Sequence, residues 1–424
     1  MKFIISGVAV YSDGAMLSRC VEVNGDNVTL LPADYTPTSD AEVFFLPHHT
    51  IFPGFVDVHV HLREPGFSYK ETMTTGTNAA ARGGFTTVCS MPNLNPVPDS
   101  LCNLRQQQEL IQDNAAVRVL PYASITVGQK GEGLADMAAL APHVVAFSDD
   151  GKGVQDEGMM RAAMTEAARL GKVIVAHCED EELLHGGYIH DGEYARTHGH
   201  GGISSESEWR QLERDLRLVR ETGCAYHVCH ISAKESVELI RSAKTEGLDV
   251  TCEVTPHHLL LCDQDLQECG NYKMNPPLRA KEDRQALIDG CLDGTIDMIA
   301  TDHAPHSAEE KSRGLAGSAF GIVGLETCFP LMYTHLVQTG IMPLERLVEM
   351  MTTAPAERFG LTPAGGHGNP PLQGDFSVWD LGAEYAIDPA EFVSMGKSMP
   401  FEGWQVRERC VMTVVGGEIV WRDE

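Results

Sequence analysis

Short apolar runs alternate with amphipathic stretches through the middle of the chain. Runs rich in Val, Ile, Phe and Cys predict strands at about residues 52–58, 85–90, 117–122, 143–148, 172–177, 224–230, 249–255 and 296–301. Most of the gaps between them are long enough for a helix. Three carry a start signal, Ser followed three residues later by Glu: Ser68 with Glu71, Ser205 with Glu208, and Ser232 with Glu235. Gly83 is expected to close the first of these helices in the left-handed conformation, and Gly247 to end the third. Strand–helix units repeated in series predict an α/β fold, a (β/α)8 TIM barrel. A doubly wound sheet would normally carry a Gly-rich phosphate fingerprint after its first strand, and none stands there.

The two ends of the chain have a different rhythm. Residues 3–10 and 21–31 read as short strands with turn signals at Asp13-Gly14 and Gly25-Asp26, and residues 376–381, 410–415 and 418–421 return to that style. We expect residues 1–51 and 367–424 to pair into one small β-sandwich-like domain beside a barrel at 52–366. The 424 residues suit a barrel of about 250 residues plus such an accessory domain.

Composition narrows the function classes. A hydrophobic content of 43% and a charged content of 22% are those of a globular protein. No apolar run reaches the ~18–20 residues that cross a bilayer, and residues 1–10 lack the features of a signal peptide. A net charge of −28 argues against a nucleic-acid surface. It also requires that an anionic substrate be captured by a few specific cations. Twelve Cys without a CxxC pair, several inside apolar runs (Cys89, Cys178, Cys229, Cys252), fit a reduced, cytoplasmic setting.

Metal-type residues fall at the carboxyl ends of the predicted strands, the face where barrels place their chemistry. His59 and His61 form an HxH whose side chains share a face at the first strand. Asp150 follows the fourth, His177 the fifth, His230 the sixth and Asp302 the eighth. Four imidazoles and two carboxylates can hold a pair of divalent ions, one carboxylate bridging them. Asp149 is the rival to Asp150 as the bridge. A lone His in a strand or an Asp after one is ordinarily structural; six at one face is a site. His257 and His258 read as supporting or loop residues, and His185, His190, His198 and His200 as solvated.

These residues lie in blocks that resemble the amidohydrolase superfamily and, within it, the class I dihydroorotases: Asp57-Val-His-Val-His-Leu-Arg-Glu-Pro-Gly66, Gly83-Gly-Phe-Thr-Thr87, Met91-Pro-Asn93, His177-Cys-Glu-Asp180, Met274-Asn-Pro-Pro277 and Ala300-Thr-Asp-His-Ala-Pro-His306. The resemblance spans about residues 53–380. It implies two Zn2+ per subunit with a bridging hydroxide, one ion on His59, His61 and Asp302 and the other on His177 and His230. Asp150 would bridge them where many relatives use a carboxylated Lys; Lys152, the nearest Lys, reads as solvated loop. It further implies reversible cyclisation of N-carbamoyl-L-aspartate to L-dihydroorotate in pyrimidine biosynthesis. Asp302 would carry the proton, and His61, Arg63, Asn93, Asn275, His306, Phe320 and Gly321 would contact the substrate. Arg63, a guanidinium fork suited to a carboxylate, and Asn93 distinguish this reading from a hydantoinase or allantoinase. The six ligands distinguish it from a non-catalytic, dihydroorotase-like partner of aspartate transcarbamoylase. A homodimer, with aspartate transcarbamoylase as a possible associate, is the expected assembly. The Gly- and Ser-rich segment 307–319 is expected to be a mobile loop over the site.

Overall fold

The computed structural model describes residues 2–12, 14–36, 41–361 and 374–423. Eight parallel strands form the centre: β1 (Phe55–Val60), β2 (Phe85–Ser90), β3 (Arg118–Pro121), β4 (Phe147–Ser148), β5 (Ile174–Ala176), β6 (Tyr226–Val228), β7 (Val250–Val254) and β8 (Met298–Ile299). One ladder runs β1-β2-β3 and another β4-β5-β6-β7-β8. Parallel bridges Ala123↔Phe147 and Val60↔His303 join them at both seams, and His61 N–H donates to His303 O at 2.8 Å, so the ring closes. All six residues of β1 and of β2 are buried, as strands covered on both faces require.

Helices alternate with the strands: α1 (Met73–Arg82), α2 (Leu101–Asn114), the single turn α3 (Met137–Leu140), α4 (Glu157–Leu170), α5 (Glu206–Thr222), α6 (Lys234–Thr245), α7 (Lys281–Asp293) and α8 (Leu344–Met351). α4 shows why such a segment folds as it does. Asp156 caps the Met159 N–H, Met160, Ala163, Met164 and Ala167 bury one face, and Gly171 ends the helix at φ +64°.

The three start signals resolve differently, because Glu71, Glu208 and Ser232 are drawn to tertiary partners. α1 begins later, capped by Thr72 with Thr75, while Glu71 is buried and accepts from Ser394 Oγ and Met395 N–H. Gly83 stays at φ −80°, where a side chain would strike Leu325 O, and Gly84 takes the left-handed turn at φ +79°. A side chain on Gly84 would strike Trp379. Ser205 precedes α5 without a side-chain cap, and Glu208 turns inward to the Ser232 and Ala233 amides. α6 starts from Ala233, with Ser232 spent on Glu208, and Gly247 follows its end at φ +82°.

Both chain ends meet in one mixed eight-stranded sheet. Strands Lys2–Ser12, Ala15–Asn24, Asn27–Leu31, Glu42–Phe45 and His49–Pro53 come from the first segment. Phe376–Ala386, Gln405–Val415 and Glu418–Arg422 come from the last. The antiparallel pairing of 376–380 with 49–53 joins the two ends just before β1. One face of the sheet keeps its own core of Phe3, Ile5, Val21, Phe376 and Val414. The other is continuous with the barrel through Phe52, Trp379 and Cys410. The expected boundary near 366 lies outside the described residues.

Phe329 is the keystone of that contact. It is fully buried, with ring centroids 5.4 Å from Phe52, 4.9 Å from Phe55 and 4.6 Å from Trp379. Phe329→Ala should cost about 3–5 kcal/mol. Chemical denaturation, read as a lower midpoint, checks this.

Candidate active site

The carboxyl ends of the strands place the six expected ligands around one point. Asp150 Oδ1 lies 3.4 Å from His59 Nε2, 3.6 Å from His230 Nε2 and 3.8 Å from His177 Nδ1. His177 Nδ1 and His230 Nε2 are 3.1 Å apart. His61 Nε2 is 3.0 Å from Asp302 Oδ1 and 3.6 Å from Asp150 Oδ2, and Asp302 Oδ1 is 3.6 Å from His59 Nε2. All six residues are buried. His230, Asp302 and the adjacent Arg63 hold positive φ (25°, 48° and 63°), the strained backbone that turns their side chains inward.

His59 Nε2 and Asp150 Oδ1 are enclosed and have no hydrogen-bond partner. A buried polar atom without one is costly. Donor atoms 3.0–3.8 Å apart are spaced as ligands around a cation, where bonds of ~2.1 Å set a tetrahedral edge of about 3.4 Å. The donor set of imidazoles and carboxylates thus fits divalent metal. Asp149 is engaged elsewhere, accepting from the Ile125 and Thr126 amides and the Thr126 hydroxyl. Lys152 is exposed.

Around the ligands stand carboxylates that sequence reasoning passed over. Glu253 accepts from His59 Nδ1 at 2.6 Å, His227 Nε2 at 3.0 Å and the His230 N–H at 3.2 Å. Burial pushes this carboxyl up, but His59 and His227 outweigh burial and hold it well below the usual range. Glu179 lies 3.6 Å from His177 Nε2 and accepts from Asn275 Nδ2 at 3.0 Å. Asp57 accepts from the His59 and Thr301 amides and the Thr301 hydroxyl; burial raises it to about 7. The overlooked signal was a charged residue inside a run of strand formers, Glu253 in Val-Thr-Cys-Glu-Val and Asp57 in Phe-Val-Asp-Val. Burial raises Asp302, but the His61 hydrogen bond together with His59 and His230 outweighs burial and brings the carboxyl to about 2.

The expected substrate contacts gather at the mouth. Arg63 Nε donates to Pro305 O at 3.1 Å, leaving its Nη2 3.3 Å from His306 Nε2. Burial lowers Arg63 only to about 10, so it stays charged. Asn93 receives the His61 Nδ1 proton on Oδ1 at 2.8 Å and donates to Asp150 Oδ2 at 3.3 Å. Its amide thus orders the ligands, a task its sequence position did not foretell. Phe320 O accepts from His306 at 2.7 Å, and Gly321 N–H donates to Lys273 O at 3.0 Å.

Two other expectations, for residues 307–319 and for His190, meet a different local structure. Residues 307–319 are folded as two single turns, Ala308–Lys311 and Gly314–Gly317. The buried Lys311 ammonium donates to the carbonyls of Lys273, Ala319 and Gly321 at 2.6–3.0 Å and pins the segment. His190 is buried, not solvated, with Nδ1 3.3 Å from Arg279; burial and that charge hold it near 3. His257 and His258 are both buried beside the site, His258 bridging Thr255 and Pro276 O.

Comparison with known proteins agrees with this geometry. The dihydro-orotase-like family model matches residues 48–236. The chain is 52% identical over 418 residues to the dihydroorotase of Bacillus caldolyticus, covering 98% of this chain and 97% of that one. It is 52% identical over 411 residues to the dihydroorotase of Anoxybacillus flavithermus, covering 96% of each. Among solved structures, an L-hydantoinase (dihydropyrimidinase) from Arthrobacter aurescens superposes with a TM-score of 0.84 at 26% identity, covering 100% of this chain and 96% of that one. The dihydropyrimidinase of Brevibacillus agri, at 22% identity and a TM-score of 0.85, covers 100% of this chain and 95% of its own; it shares the fold. Identity at the level of the first two, over nearly the full length of each chain, makes this chain a member of the dihydroorotase family, metal-dependent amidohydrolases built on a TIM barrel.

Proposed function

We propose that this dihydroorotase holds two zinc ions on His59, His61, Asp150, His177, His230 and Asp302, and interconverts N-carbamoyl-L-aspartate and L-dihydroorotate between them and Arg63. The observation that carries the reading is the buried, unpartnered pair His59 Nε2 and Asp150 Oδ1 at the focus of four imidazoles. When bound, the ions supply Lewis acidity and a water ionised near neutral pH. The chain's own residues do the rest.

Arg63 Nη2 is a charged donor at the mouth beside the His306 ring, and a carboxylate is its natural acceptor. Arg63, with His306 packed beside it, holds the ring carboxylate of dihydroorotate, so that its amide carbonyl faces the ligands. In hydrolysis, an oxygen–carbon bond forms at that carbonyl and the carbon–nitrogen bond of the ring breaks. Asp302, ionised at neutral pH, accepts the proton of the attacking water and delivers it to the departing ring nitrogen. In the synthetic direction Asp302 takes a proton from the carbamoyl nitrogen, that nitrogen attacks the side-chain carboxyl, and water leaves. Asn93 contributes by holding His61 and Asp150 in place, and Glu179 aligns Asn275 at the edge of the site. Segment 307–319, with Phe320 and Gly321, forms the wall over the substrate.

We further propose a homodimer and an association with aspartate transcarbamoylase; sedimentation of the purified chain alone and mixed with that enzyme checks both. Three enzymatic outcomes are expected. Chelation should abolish dihydroorotate hydrolysis and zinc should restore it, with hydantoin and allantoin turned over poorly beside dihydroorotate. Asp302→Ala should lose about 10²–10⁴ in kcat, whereas Arg63→Ala should raise KM about 10–100-fold through the lost charge-assisted contact. Near-normal turnover by Asp302→Ala would overturn its proton role. Glu253→Gln should weaken zinc binding about 10–100-fold, measured by chelator competition.

A further inference from the structure

Lys311 is buried inside the segment that covers the site. Its Nζ lies 2.9 Å from Ala319 O, 2.6 Å from Gly321 O and 3.0 Å from Lys273 O. Three carbonyl oxygens at these distances call for three N–H donors, which a lysine supplies only as the ammonium. They hold the charge against burial, which with Lys273 close by pushes the group down to about 7. Two of the three acceptors stand one on each side of Phe320.

The peptides of this stretch are tied differently. The one between Phe320 and Gly321 is held at both ends without Lys311: Phe320 O accepts from His306 Nε2 at 2.7 Å, and the Gly321 N–H donates to Lys273 O at 3.0 Å. Among the described residues, the peptide between Ala319 and Phe320 is held by Lys311 alone. Ala319 O accepts from the ammonium, and the Phe320 N–H meets no acceptor among those residues. That peptide is trans and planar, so its N–H points opposite to its carbonyl. With the carbonyl turned to the buried ammonium, the N–H is turned away from it, on the residue whose ring is exposed at the mouth. Gly321, at φ +127°, brings this backbone so close to the site that a side chain there would strike Ala304 and crowd His306 Nε2.

The covering segment has other anchors for its own fold. Ser307 and Glu310 cap the first turn, Ser318 Oγ donates to Lys311 O at 3.0 Å, and the Lys273 ammonium donates to Ala316 O at 2.8 Å. None of these uses the Lys311 side chain.

We propose that Lys311 is a positioning residue: by gripping the Ala319 and Gly321 carbonyls it presents the Phe320 N–H as a donor to an oxygen of the substrate. The inference rests on the reading of Phe320 and Gly321 as substrate contacts. Without the ammonium, Ala319 O loses its partner and its peptide is free to rotate, so the donor swings out of the site. The capped turns keep their ties, and the groups that move protons are untouched. The effect therefore falls on substrate capture.

The test compares Lys311→Met and Lys311→Gln with the unaltered enzyme, zinc-loaded and at neutral pH. For Lys311→Met, KM for dihydroorotate should rise roughly 3–10-fold, the size of one lost hydrogen bond, with kcat changed far less. Lys311→Gln, whose amide keeps two donor hydrogens, should fall between. A purely structural role would instead remove active enzyme, lowering kcat at constant KM. Nitrogen-15 spectra of phenylalanine-labelled protein, with Phe320 assigned through Phe320→Leu, give an independent reading. In the unaltered enzyme the Phe320 amide should shift and exchange its hydrogen more slowly when an equilibrium mixture of dihydroorotate and carbamoyl-aspartate is added; in Lys311→Met and Lys311→Gln at saturating ligand this response should be lost or weakened. An unchanged KM in both variants, or a Phe320 amide that responds in them as it does in the unaltered enzyme, overturns the role of Lys311. A Phe320 amide of the unaltered enzyme that ignores the ligand overturns instead the substrate contact on which that role is built.

Discussion

Everything at the mouth of this barrel answers to one electrostatic demand. Asp150 brings a carboxylate into a space closed to water and surrounds one of its oxygens with three imidazole nitrogens, none of which hydrogen-bonds it. Burying charge without compensation is among the most expensive arrangements a protein can adopt. A divalent cation is the compensation that suits this donor set. The barrel is the scaffold that makes the demand possible, because its strands end together and deliver residues from positions 59 to 302 to one spot.

The surrounding polar groups extend the same logic outward. Glu253 fixes His59 and reaches His227, Asp57 ties β1 to the segment after β8, and Asn93 ties His61 to Asp150. Glu253 and Asn93 settle which ring nitrogen of His59 and of His61 faces inward. Positive φ at Arg63, His230 and Asp302 shows that the backbone accepts strain to aim these groups. The cost is met by barrel packing and by the aromatic contact of Phe52, Phe55, Phe329 and Trp379 beneath the opposite end.

The barrel was legible in the sequence because buried parallel strands are runs of apolar residues, and its ligands because each follows such a run. Local start signals were a weaker guide. Glu71 and Glu208 look like capping glutamates from three residues away, yet each is claimed by amides distant in the chain. Glu253 and Asp57 were read as strand interior, since nothing in a single segment reveals that an imidazole from another strand will arrive beside them. The composition of 307–319 pointed to a flexible stretch; what it hid was that the Lys311 ammonium finds three carbonyls from neighbouring loops. His190 was misread in the same way, its polar neighbours masking the buried Arg279 it meets.

The pairing of strand 49–53 with strand 376–380 bears on the order of assembly. During synthesis, all six proposed ligands have been made once Asp302 emerges, but the strand that flanks β1, the carrier of His59 and His61, still waits for its second partner, more than seventy residues beyond Asp302. A nascent chain can therefore gather its imidazoles and acids before the platform beneath the first of them is finished. A segment made well after the barrel closes the sheet that steadies His59 and His61.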